Sequence, residues 1–243
     1  MHFTSDQRLD DDVRERRFTL GDIPGILWTP GSGTAPAPLI LLGHPGGLST
    51  MYPRLAARAR QTVAAGFSAA TLELPGSGDR PRSAATDGAR ADLRRTLQAG
   101  EPVPGELVDR LVLPLVGQAV PEWQAALDAL LPLPGIGGPA GCSGGFIAVG
   151  VRLARVEPRI AAAVLFAGSY VPRVILEEAR QVTIPLQVLL QWDDEGNDRQ
   201  QALALFDAFG AKEKTLHANM GGHTGIPPYE NDAGNRFFRR HLT

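Results

Sequence analysis

The stretch Gly141-Cys142-Ser143-Gly144-Gly145 lies between a weakly apolar segment and a helical pattern over 145–156. It matches G-x-S-x-G, in which a serine sits on a sharp strand-to-helix turn and small flanking residues let strand and helix approach. Such a turn exposes the hydroxyl and aims the next backbone N–H, that of Gly144, at a developing oxyanion. The helix N-terminus that follows adds a potential favourable to negative charge. In a chain with 28 glycines the pentapeptide alone is a weak signal. Its surroundings carry the argument.

Outward from this turn, the apolar runs are short, β-branched or Leu-rich, and regularly spaced. Pro38-Leu39-Ile40-Leu41-Leu42-Gly43 is continuously apolar, as a strand buried on both faces should be. Similar runs occupy 67–74, 160–167 and 185–191, and an opening pair, 13–20 and 23–29, flanks the turn Gly21-Asp22. Helical patterns fall between them at 52–65, 121–131, 145–156, 199–209 and 229–241. This alternation predicts an α/β fold: a mostly parallel central sheet with helices on both faces. Active sites in such sheets lie at the carboxyl ends of the strands. Residues 80–120, rich in Arg, Ala, Pro and Leu, hold two helical patterns and no clear strand, which predicts a small helical insertion or lid. No linker composition divides the chain, so 1–243 reads as a single domain.

Composition narrows the function. The chain is 43% hydrophobic and 21% charged, with a net charge of −2, enough apolar content for a core and against disorder. Interspersed charges give no footprint for nucleic acid or an anionic membrane. No apolar run approaches the ~18–20 residues of a membrane span. The polar opening Met1-His2-Phe3-Thr4-Ser5-Asp6 is unlike a secretory signal. One cysteine excludes an internal disulfide and a Cys-cluster metal site. The expectation is a soluble cytoplasmic protein acting on a small molecule, its oligomeric state left open.

The strand ends carry the chemistry. Gly43-His44-Pro45-Gly46-Gly47, Pro75-Gly76-Ser77-Gly78-Asp79, the Ser143 turn, Trp192-Asp193-Asp194-Glu195 and Met220-Gly221-Gly222-His223 each follow or end a predicted strand. A hydroxyl nucleophile needs a general base, and the base an orienting carboxylate. Ser143, Asp194 and His223 occur in the order serine, acid, histidine. Of five histidines, His2 and His241 lie near the termini, His44 belongs to the first loop as a brace, and His217 ends a strand. His223 is the base. No H-x-x-x-H, H-x-H or Cys pair supports a metal, and neither Gly-rich loop has a full phosphate-binding pattern.

From about Phe18 to Leu242 the chain resembles the α/β-hydrolases, in particular bacterial dienelactone-hydrolase-like and small esterase members. The resemblance rests on Leu41-Leu42-Gly43-His44, Leu74-Pro75-Gly76-Ser77-Gly78, the Ser143 turn, Gln191-Trp192-Asp193-Asp194 and Gly221-Gly222-His223. It implies the α/β-hydrolase fold, a Ser-His-Asp triad and no cofactor, and it is unspecific for substrate. Relatives commonly place the triad acid at the end of G-x-x-D. Setting Gln191 in the first place selects Asp194, with Asp193 as the second candidate. Many relatives read His-Gly-Gly-Gly after the third strand, where this chain has His44-Pro45-Gly46-Gly47. Pro45 has no N–H to donate, so the second oxyanion donor falls to Gly46, with Gly47 as the other candidate. The segment before the turn, Gly137-Gly138-Pro139-Ala140, holds no β-branched residue. A shift of one residue would make Cys142 the nucleophile, as dienelactone hydrolases use. Glycine at both flanks favours Ser143, with Cys142 packed beneath.

The resulting expectation is hydrolysis of a carboxylic ester through an acyl-enzyme. A thioesterase, lactonase or peptidase would use the same triad, and a non-catalytic binding protein is the alternative of another class. The apolar run Leu111, Val112, Leu113, Leu115 and Val116 reads as a buried helix face rather than an acyl site.

Overall fold

In the computed structural model, which describes residues 1–9, 12–32 and 35–243, the chain opens with three antiparallel strands, β1 (His2–Arg8), β2 (Val13–Leu20) and β3 (Ile23–Pro30). Gly21, at φ +61°, makes the tight turn between β2 and β3. Strand β1 has no counterpart in the sequence pattern. It is an edge strand, exposed along nearly its whole length, and its polar side chains carry no apolar alternation.

The elements that follow are β4 (Leu39–Gly43), α1 (Leu48–Ala64), β5 (Ser68–Leu72), α2 (Ala84–Gln98), α3 (Gly105–Leu130), β6 (Ala140–Gly144), α4 (Ile147–Val156), β7 (Ile160–Phe166), α5 (Arg173–Ala179), β8 (Leu186–Gln191), α6 (Arg199–Ala208), β9 (Lys214–Asn219) and α7 (Tyr229–Leu242). They build one sheet in the order β1-β2-β3-β5-β4-β6-β7-β8-β9. Every pairing from β5 through β9 is parallel, while β3 meets β5 antiparallel. The expected mostly parallel sheet is present, with an antiparallel flank at its N-terminal side.

Period-2 alternation divides the core between two faces. On β4, Leu39 and Leu41 join the side covered by α3, α4, α5 and α6, with Trp123, Leu127, Leu153, Ile175 and Leu205. Ile40 and Leu42 point the other way, to Leu55 and Ala59 of α1 and Phe238 and Leu242 of α7. Both faces of the strand are buried, which explains its unbroken apolar run.

Strand β6 is weakly patterned for a packing reason. A Cβ on Gly141 would come 2.7 Å from the Phe238 ring and 3.0 Å from Ile40 Cδ1, so α7 lies too close for a larger residue. Within the predicted insertion, α3 runs for 26 residues through Pro114 and Pro121, well beyond the pattern expected at 121–131. Each proline costs one backbone bond, and the buried Val116, Ala119, Val120 and Trp123 hold the helix across both. Arg80 fastens this segment to the sheet: its Nη1 donates to Glu73 O at 2.9 Å and to Glu122 Oε2 of α3 at 2.8 Å. No helix among the described residues is long and apolar enough to cross a membrane.

Candidate active site

Ser143 is the penultimate residue of β6, paired with Leu42 of β4 and Val164 of β7. Alternation along β6 puts Gly141 and Ser143 on the α1–α7 side and Cys142 on the opposite one, against the α3–α4 core. The left-handed backbone of the turn belongs to Gly144 (φ +72°) and Gly145 (φ +79°), one and two residues beyond Ser143. A Cβ on Gly145 would lie 2.9 Å from Gly43 Cα, and one on Gly43 only 2.7 Å from Gly144 O. These are backbone-to-backbone approaches that no side-chain rotation relieves. Gly43→Ala should therefore cost roughly 1–3 kcal/mol, seen as a lowered Tm in thermal unfolding.

Cys142 is buried, and burial pushes its thiol up to about 12. A thiol so shielded holds little of the thiolate form that attacks a carbonyl. Cys142→Ala should leave ester turnover within about twofold of wild type while costing on the order of 1 kcal/mol of stability. Steady-state rates and a denaturation midpoint check both halves.

Two of the expected site residues, Asp194 and His223, meet. His223 Nδ1 stands 2.7 Å from Asp194 Oδ2, and Asp194 Oδ1 accepts the Gly196 N–H at 3.0 Å. The Asp194 carboxylate is nearly inaccessible, whereas the imidazole is half exposed. With Nδ1–H donated to the carboxylate, Nε2 is left as the basic nitrogen. The second candidate acid, Asp193, accepts the Gly221 N–H through Oδ2 at 3.1 Å and so fastens the histidine loop. The buried Gln191, unmarked in the sequence reading except as a motif position, does the same by donating to Gly222 O at 3.1 Å. The Phe166 ring meets the His223 ring edge-on, centroids 5.4 Å apart.

The other histidines take structural places. His44 is buried with Nε2 2.8 Å from Leu72 O, bracing the β4 loop as expected, and burial holds its pKa below the ordinary value. His217 is half-buried and pairs through Nδ1 with Glu230 Oε2 at 2.7 Å, tying β9 to α7. Glu73 accepts the Leu48 N–H at 3.0 and 3.1 Å and anchors the start of α1 directly after Gly47.

Ser143, Gly144 and His223 line one cavity of about 630 Å³ between the strand ends, α1 and α7. Pro45 lines it too; Gly46 is not among its described lining residues. Among the described residues no hydrogen bond joins Ser143 to His223. The serine Oγ instead accepts one from Arg58 Nη2 of α1 at 3.0 Å. A second cavity of about 280 Å³ lies beneath the α2–α3 segment, lined by Leu111, Val112 and Leu115, which are partly exposed to it rather than simply packed. Phe146 and Ser169 border both cavities.

No protein-family model and no curated protein sequence matches the chain. Solved structures do. A cold-adapted esterase from an Arctic intertidal metagenomic library, complexed with polyethylene glycol, superposes with a TM-score of 0.79 at 29% identity, over 100% of both chains. The fold is that of the α/β-hydrolases. More distant α/β-hydrolase structures agree in fold. One, from Klebsiella pneumoniae and described as a dienelactone hydrolase, has a TM-score of 0.67 at 14% identity over 93% of this chain and 97% of its own. An acetyl xylan esterase from a Paenibacillus species gives 0.64 at 13% identity, over 99% and 88%.

Proposed function

We propose that this α/β-hydrolase cleaves carboxylic esters of small molecules, by acyl transfer through Ser143. The observation that carries the reading is the Asp194–His223 contact of 2.7 Å, opening onto a cavity that Ser143 also lines. The similarity to esterases along the full chain supports the class of bond.

In the proposed reaction His223 Nε2 takes the proton from Ser143 Oγ, which attacks the ester carbonyl. The Gly144 N–H and the N–H of Gly46, one residue beyond Pro45, receive the carbonyl oxygen as it becomes negative. Such a donor is typically worth ~3–4 kcal/mol of barrier. Asp194 keeps the imidazole oriented and stabilises its charged form. His223 then protonates the leaving alcohol, and water repeats the steps on the acyl-enzyme. The Ser143–His223 hydrogen bond tightens with substrate in place, since catalytic contacts are often loose in the free enzyme. The 280 Å³ cavity under α2 and α3, with Leu111, Val112 and Leu115 in its wall, takes an apolar group of the ester. In this reading the insertion is a specificity-bearing cap.

The test pairs a fluorophosphonate probe with a panel of p-nitrophenyl esters of increasing acyl length. Turnover, together with a mass shift mapped to the peptide containing Ser143, supports the reading. Neither label nor hydrolysis across the panel would point to a binding protein on a hydrolase scaffold.

A further inference from the structure

Arg58 sits in the middle of α1, where no motif draws attention to it. Its Nη1 donates to Gly43 O at 3.1 Å, and its Nη2 donates to Ser143 O at 3.1 Å and to Ser143 Oγ at 3.0 Å. The two carbonyl bonds clamp the guanidinium between the ends of β4 and β6 and fix it against the hydroxyl. The turn is shaped around it as well. A Cβ on the left-handed Gly144 would come 3.1 Å from Nη2.

Among the described residues no carboxylate pairs with the Arg58 guanidinium, whose acceptors are two carbonyls and a hydroxyl. Glu230 lines the same cavity, but its oxygens are taken by His217 Nδ1 and Asn219 Nδ2. Arg54, one turn earlier on α1, lines the cavity too and adds like charge. Burial, and after it Arg54, bring the guanidinium down to about 10. A half-buried cation with no carboxylate partner among the described residues favours the arrival of negative charge.

We propose that Arg58 is a catalytic residue, stabilising the negative charge that develops on Ser143 Oγ during acyl transfer. This rests on the reading of Ser143 as nucleophile. Arg58 occupies a lone pair of Oγ and leaves its proton free for His223. As the O–H bond breaks, that proton goes to His223 Nε2. The Oγ–carbon bond forms, and the carbonyl π pair moves onto the carbonyl oxygen. Collapse expels the alkoxy group, which leaves with the proton from His223. Arg58 stays cationic throughout and transfers no proton. A fixed cation beside the reacting oxygen favours its anionic form and needs no reorganisation at the moment of reaction.

The experiment compares wild type with R58M, R58K and R58A, following kcat, KM and the pH dependence of fluorophosphonate labelling. R58M should lose about 100-fold in kcat with KM little changed, and its labelling should need a higher pH. R58K should recover part of kcat, and added ethylguanidinium should partly restore R58A, which a purely structural role would not allow. If R58M does not fold, R58Q supplies the neutral comparison. A neutral variant with wild-type kcat and pH profile overturns the proposal. So does a loss confined to KM for esters bearing a free carboxylate, which would make Arg58 a receptor for a substrate anion. Failure of wild type itself to label or turn over would sink the nucleophile reading instead, and the two failures are distinct.

Discussion

Ser143→Ala should abolish ester turnover and fluorophosphonate labelling together, with kcat falling by about 10⁴-fold or more, because nucleophile and base act as a unit. Only one hydroxyl is removed. Arg58 keeps its bonds to Gly43 O and Ser143 O, and the β6 pairings to Leu42 and Val164 are made by backbone. The folded state should therefore lose no more than about 1 kcal/mol, a shift of a few degrees in Tm. Rate and melting temperature measured on the same preparation separate the two effects. Turnover persisting in Ser143→Ala would move the chemistry elsewhere. Loss of that remaining turnover in Cys142→Ala would move the nucleophile by one residue, to the thiol on the opposite side of the sheet.

Asp194→Asn should come next in severity, with kcat lowered by roughly 10³–10⁴-fold and KM little altered, since an amide in that place favours the wrong imidazole tautomer. Asp193→Asn makes the informative control. Asp193 is exposed, and its carboxylate bonds the Gly221 N–H rather than the imidazole. It should lose less than about tenfold, because one exposed hydrogen bond contributes only about 1 kcal/mol to the loop. Asp193→Asn proving the more damaging variant would reverse the assignment of the acid.

The Asp194–His223 contact was legible in the sequence because each residue lies a few positions beyond a predicted strand, and β8 and β9 are neighbours in the sheet. Arg58 was not. An arginine within an amphipathic helix looks like any solvated one, and its partner lies 85 positions further along the chain. Only the adjacency of β4 and β6 brings the two together. The strand-to-helix junction around Ser143 was legible, yet which backbone positions turn left-handed depends on how closely Gly43 approaches Gly145. The weak pattern of β6 and the unforeseen β1 share one cause. Apolar alternation reports side-chain burial against a partner layer. It is silent where α7 packs directly on the backbone, or where an edge strand faces water.

The placement of the Asp194–His223 contact has a consequence for redesign. Asp194 and His223 follow β8 and β9, parallel neighbours joined from Leu186↔Lys214 to Gln191↔Asn219. Their separation is thus inherited from the spacing of adjacent strands, about 4.8 Å, rather than tuned by loops alone. The walls at Leu111, Val112 and Leu115 belong to α3, on the other side of the Ser143 strand. In the proposed reaction, proton handling and molecular selection are therefore borne by separate mechanical units. The helical segment could be exchanged to retarget the protein while the proton-relay edge remained intact.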